Sequence, residues 1–140
     1  MTVILLVDDD NGLLSSLGLL IAAEGYVVRT ATNGLDALLL ARASRPDVLI
    51  SDTAMPVMDG PALIRAMRKD PMLSSVPVIL TYNGALPPRV RVFRFMRKPL
   101  RYAKVLKILR RVERHHAKIS VSGRHWRIPR RSLRGEPKIG

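Results

Sequence analysis

Short apolar runs recur along the chain at Thr2–Val7, Tyr26–Ala31, Val48–Asp52, Val76–Thr81 and Val92–Met96. The clearest, Val3–Val7 and Val48–Ile50, lack polar alternation, which suits strands buried on both faces of a parallel sheet. Between the runs, apolar residues return every third or fourth position, the period of a helix with one buried face. Asn11–Glu24 places Leu13, Leu14, Leu17, Leu20 and Ile21 on such a face, and residues 34–44 turn Leu35, Leu38, Leu39 and Ala43 inward. A third helix spans Pro61–Lys69, and a last one Leu100–His116, with Val105, Leu106, Ile108, Leu109 and Val112 inward. Gly25 stops the first helix, Asn33 caps the second, Pro46 closes it, and Pro61 fits the first turn of the third. Strands alternating with helices predict an α/β domain with a parallel sheet and right-handed crossovers.

The pattern breaks after Thr81. The stretch YNGALPPRVRV holds an Asn-Gly turn signal and the Pro87-Pro88 pair, so a helix between the fourth and fifth strands is expected to be short or absent. Beyond Ala117 periodicity is lost, and Ser, Gly, Pro and Arg dominate residues 120–140. The expected organisation is one domain over residues 1–116 and a basic, disordered tail over 117–140.

Composition narrows the class. A hydrophobic fraction of 47% supports a globular core, while the apolar run at 17–23 ends too soon, at Glu24 and Gly25, to span a bilayer. The N-terminus lacks a basic signal-peptide start, so a cytoplasmic protein that is not membrane-embedded is expected. The absence of cysteine excludes a disulfide framework and a thiolate metal site. The net charge of +13 is uneven: residues 1–85 carry six Lys/Arg against nine Asp/Glu, and residues 86–140 carry eighteen against two. An acidic part is joined to a strongly basic end.

The candidate chemistry lies in the acidic part. Val48–Ile50 leads into Asp52, and Val3–Val7 into Asp8, Asp9 and Asp10. Ligands of open α/β sheets bind outside the carboxyl ends of the strands, and neighbouring strands lie about 4.8 Å apart. Acids from two such ends can form an oxygen-rich cluster whose mutual repulsion a hard cation relieves; Mg2+ is the natural guest. The plainer alternative is that Asp8–Asp10 cap the first helix, and Asp10 itself is read as a cap. Met55, Met58 and Met67 read as packing residues. No role is assigned to His115 and His116.

Taken together, VDD at 7–9, SDTAMPVMDG at 51–60, Thr81 and Lys98-Pro99 resemble the receiver domain of bacterial two-component response regulators, over residues 2–116. The resemblance implies a flavodoxin-like, doubly wound, five-stranded parallel sheet of order 2-1-3-4-5. It implies a phosphoacceptor signalling protein of a phosphorelay, not an enzyme in the usual sense. Its Asp52 would be phosphorylated by a sensor histidine kinase or phosphotransfer protein with Mg2+. Asp9 and Asp52 would bind the metal directly, Asp8 through water, and Ala54 through its carbonyl. Lys98 would pair with the carboxylate and then the phosphoryl group, and Phe95 would be a switching aromatic. Either Thr81 or Tyr82 fills the hydroxyl position.

Lys98 follows Thr81 by seventeen positions, several fewer than in most receivers. The expected protein is a stand-alone receiver whose output is a protein contact. Two rivals are a degenerate receiver regulated without phosphate, and a nucleic-acid-associated regulator acting through residues 101–134. In the latter, Arg110, Arg111, Arg114, Lys118, Arg124, Arg127, Arg130 and Arg131 would form a strip, with Trp126 as a stacking face.

Overall fold

A computed structural model describes the backbone of residues 1–85 and 89–121, and the side chains of residues 1–85 and 89–115. The elements run β1 (Val3–Val7), α1 (Asn11–Ala23), β2 (Val27–Ala31), α2 (Gly34–Ala43), β3 (Val48–Asp52), α3 (Gly60–Lys69), β4 (Val78–Tyr82), β5 (Arg94–Arg97) and α4 (Tyr102–Val121). All five strands pair in parallel in the order β2-β1-β3-β4-β5. This is the doubly wound, flavodoxin-like sheet expected from the sequence.

Alternate residues of each strand point to opposite faces, so the sheet divides the core in two. Leu5, Leu49 and Leu80 face α2 and α3, where they meet Leu38, Leu63, Ile64 and Met67. Ile4, Ile50 and Ile79 face α1 and α4, meeting Leu14, Leu17, Val105 and Leu109. Asp10 and Asn33 cap their helices as expected, and Asp59 caps α3 in the same way: each accepts a backbone N–H from the first turn of the following helix.

Several boundaries differ from the apolar pattern. In α2 the buried residues are Gly34, Ala37, Leu38 and Ala41, and Leu35 and Leu39 face solvent, as does Leu20 of α1. β4 starts at Val78, because Val76 is a buried loop residue whose N–H bonds to the Leu73 carbonyl. β5 starts at Arg94, not Val92. α4 runs to Val121, past Ala117 where periodicity is lost. The Pro87-Pro88 pair, residues 122–140 with Trp126, and the side chain of Lys118 lie outside the described residues. No described helix is long and apolar enough to cross a membrane.

Among the described residues, no helix lies between β4 and β5. The space is filled by an extended segment that buries Val90, Val92 and Phe93, with the Phe93 N–H donating to the Val78 carbonyl at 2.8 Å. Arg68, near the end of α3, holds this segment. Its guanidinium donates to the carbonyls of Ser74 (3.0 Å), Val76 (2.8 Å) and Arg91 (2.7 Å). Burial, and then repulsion from Arg91, lower the Arg68 pKa to about 10, so the group stays charged at neutral pH. Arg68→Met keeps an apolar stem but strands three carbonyls, and should lower unfolding free energy by about 2–3 kcal/mol in urea titrations. A loss below about 0.5 kcal/mol would show that burial of Val90 and Val92 alone holds the segment.

Candidate functional site

The site forms where β1, β3 and β4 end. Because Val7 pairs with Ser51, Asp8 and Asp52 leave adjacent strands side by side. On the other flank of β3, Asp52 pairs with Thr81. Asp8, Asp52 and Thr81 are the buried polar residues here, at 2%, 7% and 2% exposure, while Asp9 is exposed. Lys98, following β5, reaches across the strand ends, its Nζ 2.8 Å from Asp8 Oδ2 and 3.2 Å from Asp52 Oδ2. The other Asp52 oxygen, Oδ1, accepts the Thr53 N–H at 2.9 Å and lies 3.5 Å from Thr81 Oγ1.

Burial is the main force on Asp52. Together with repulsion from Asp8 it raises the carboxyl pKa, against the opposing pull of Lys98 and the Thr53 N–H. Burial also works against the Lys98 charge, but hydrogen bonds and attraction from Asp8 and Asp52 outweigh it and hold its pKa above the ordinary lysine value. Asp8, Asp9 and Asp52 each offer a carboxylate oxygen within 4.8 Å of the others. An all-oxygen, anionic donor set with one exposed member fits a hard divalent cation that keeps several of its waters.

The loop after β3 is braced at two glycines. A Cβ on Gly34 would come within 2.5 Å of the Met58 carbonyl oxygen, to which the Gly34 N–H donates at 2.8 Å. A Cβ on Gly60 would fall 2.2 Å from the Asp52 carbonyl oxygen. Only glycine lets the starts of α2 and α3 come this close to the loop and the acid. Between them Val57 has φ of 70°, and the Met58 N–H donates to the Pro56 carbonyl at 2.7 Å. This is the three-residue γ-turn, a strained arrangement for a β-branched residue and one typical of functional loops.

The family model of the response regulator receiver domain matches residues 4–110. The chain belongs to this family. It is 42% identical over 103 residues to the transcriptional regulatory protein GlrR of Escherichia coli, covering 69% of this chain and 23% of that protein. The chain therefore spans about a quarter of that relative's length. Among solved structures, the chemotaxis response regulator CheY4 of Vibrio cholerae superposes with a TM-score of 0.72 at 30% identity, covering 80% of this chain and 98% of that one. The receiver domain of the sensor histidine kinase PA1611 of Pseudomonas aeruginosa, whose structure has a magnesium ion in its active site cleft, gives a TM-score of 0.72 at 26% identity, covering 79% and 95%.

In this receiver domain the structure gathers Asp8, Asp9, Asp52, Thr81 and Lys98 at one point. Thr81 Oγ1 lies 3.5 Å from Asp52 Oδ1, and Tyr82, one residue beyond, pairs with Arg97. Ala54 is exposed on the loop two residues after the acid. Phe95 pairs with Leu80 and packs, partly buried, against the core. Gly34 and Gly60 were not singled out from the sequence. Their signal was a glycine directly after a capping residue, Asn33 or Asp59, at the start of a helix.

Proposed function

We propose that Asp52 accepts a phosphoryl group from a phosphohistidine on a sensor histidine kinase or phosphotransfer protein in the cytoplasm, and that the acyl phosphate signals through a change in the receiver surface. What supports this reading is Lys98, a single ammonium bonded at once to Asp8 and Asp52, with Thr81 in register beside the acid. A carboxylate oxygen of Asp52 forms the new P–O bond while the donor's P–N bond breaks, its electron pair going to the imidazole. Lys98 then faces both Asp8 and the added phosphoryl oxygens, and the Thr81 hydroxyl donates to them. Asp9 and Asp52 would hold Mg2+, with Asp8 and the Ala54 carbonyl in support; when bound, the ion neutralises charge on the transferring group. Phe95, beside Leu80 on β5, is the candidate for relaying the change outward.

The test is incubation of the full chain with a small phosphodonor such as acetyl phosphate, with and without Mg2+. Intact mass should show one added phosphoryl group that is acid-stable, base-labile and Mg2+-dependent. No adduct under any Mg2+ concentration would leave a receiver fold regulated by binding alone.

A further inference from the structure

The unusual charge of the C-terminal half has a definite place in the fold. Between β5 and α4 lies a groove of about 340 Å³ lined by Arg94, Arg97, Arg101, Lys104, Lys107 and Arg111, together with Phe95, Met96, Pro99 and Ile108. Among the described residues, no Asp or Glu lines it. The one acid among described residues of this half, Glu113, is engaged elsewhere, accepting from Tyr26 (2.6 Å) and Thr2 (2.8 Å) near the start of the chain. Arg110 also leaves the groove and pairs with Glu24 at 3.2 Å. Of the groove cations, Arg101, Lys104, Lys107 and Arg111 fall within the basic segment 101–134 expected from the sequence, and Arg94 and Arg97 lie outside it.

Lys104, Lys107 and Arg111 recur at spacings of three and four residues along α4, and Arg101, the residue before it, continues the row three positions earlier, giving one face about 15 Å long. Arg94 and Arg97 of β5 also line the groove, although strand alternation turns them to opposite faces of the sheet, so they do not form a single row. Burial, and then repulsion from Arg111, lower the Arg94 pKa, so like charges are held close enough to oppose one another. A regularly charged polyanion relieves that repulsion. Duplex DNA presents a negative charge about every 1.7 Å along its axis, so a 15 Å row faces several phosphates at once.

We infer that the β5–α4 groove binds the phosphodiester backbone of nucleic acid without sequence preference. The inference is independent of phosphorylation at Asp52, because the groove is complete in the unphosphorylated chain. Backbone recognition by cations releases condensed counterions, giving a log–log salt slope of about −0.9 per phosphate neutralised.

The experiment measures salt-dependent binding of the full chain to duplexes of about 20 base pairs and of unrelated sequence. A triple substitution, Arg101→Gln, Lys104→Gln and Lys107→Gln, removes three exposed groove charges and should reduce the slope by about 3. The control triple, Arg65→Gln, Lys69→Gln and Arg89→Gln, removes three exposed charges outside the groove and should leave the slope within about one unit of wild type. Both variants should melt like wild type, since none of these side chains is buried. Equal slopes for the two triples would assign binding to residues 122–140 or to net charge, and would overturn the groove. Absence of duplex binding at low salt would overturn it as well. So would inorganic tripolyphosphate or polyglutamate competing as well as DNA at equal charge, which would assign the groove to small phosphates or acidic proteins.

Discussion

Asp52→Asn is expected to abolish the phosphoryl adduct while making the metal-free protein more stable. The amide keeps the shape of the carboxylate but has no anionic oxygen to attack phosphorus. The stability gain follows from the titration of the acid it replaces. Burial and Asp8 raise the Asp52 pKa in the folded state. A carboxyl whose folded pKa lies above its unfolded value favours the fold at low pH, and that contribution is lost as pH rises through the folded pKa. At neutral pH the ionised Asp52 therefore opposes folding, with Lys98 offsetting part of the effect. Removing the charge should raise the unfolding free energy by about 1 kcal/mol, or ~4 °C in the midpoint for a domain this size. The gain should shrink as pH falls through the raised folded pKa of Asp52 and be gone below about 4, where the wild-type acid is protonated in both states. It should also shrink when Mg2+ is added, because only wild type gains fully from the ion. Thermal melts across pH, with and without Mg2+, check the second half, and intact mass the first. Equal labelling of the variant would move the nucleophile elsewhere.

The strand ends carried the most legible information. Val3–Val7 and Val48–Ile50 are apolar throughout and lead directly into acids, so two buried strands ending in carboxylates follow from the pattern, while their being neighbours followed only from the strand order that the resemblance implies. The buried face of α2 was illegible for a physical reason. GLDALLLARA carries leucines around its circumference, so size alone does not mark the face that the structure buries, which is Gly34, Ala37, Leu38 and Ala41. The start of β5 was misread because Val92 and Phe93 are as buried as strand residues but belong to the segment that replaces a helix. Arg68 could not be singled out at all. A basic residue near a helix C-terminus usually complements the dipole, and only tertiary structure shows its guanidinium bonded to three carbonyls. Thr81 and Tyr82 could not be told apart in the sequence because their difference is one of register; in the structure Thr81 pairs with Asp52.

Lys98→Met should separate two properties of the site that phosphorylation ordinarily combines. In the metal-free protein the ammonium touches Asp8 and Asp52, and those contacts outweigh its own burial to raise its pKa. A lysine with a raised folded pKa contributes stability fully below its ordinary value of about 10.4, and that contribution fades only as pH climbs past it. At neutral pH its removal leaves two buried carboxylates without their cation, and should lower stability by about 2–4 kcal/mol. The same loss strips a pre-positioned positive charge from the transferring group, so phosphorylation by a small donor should slow by about 10²–10³-fold. Mg2+ affinity should change in the opposite direction, because Lys98 and the metal compete for Asp8 and Asp52. Calorimetric titration should therefore show tighter Mg2+ binding in Lys98→Met, and saturating Mg2+ should restore part of the lost stability without restoring the rate. Lys98→Arg should rescue stability better than rate, since a planar fork can satisfy carboxylates but does not present a compact point charge. A variant with a normal phosphorylation rate and unchanged Mg2+ affinity would reduce Lys98 to an ion pair of the fold.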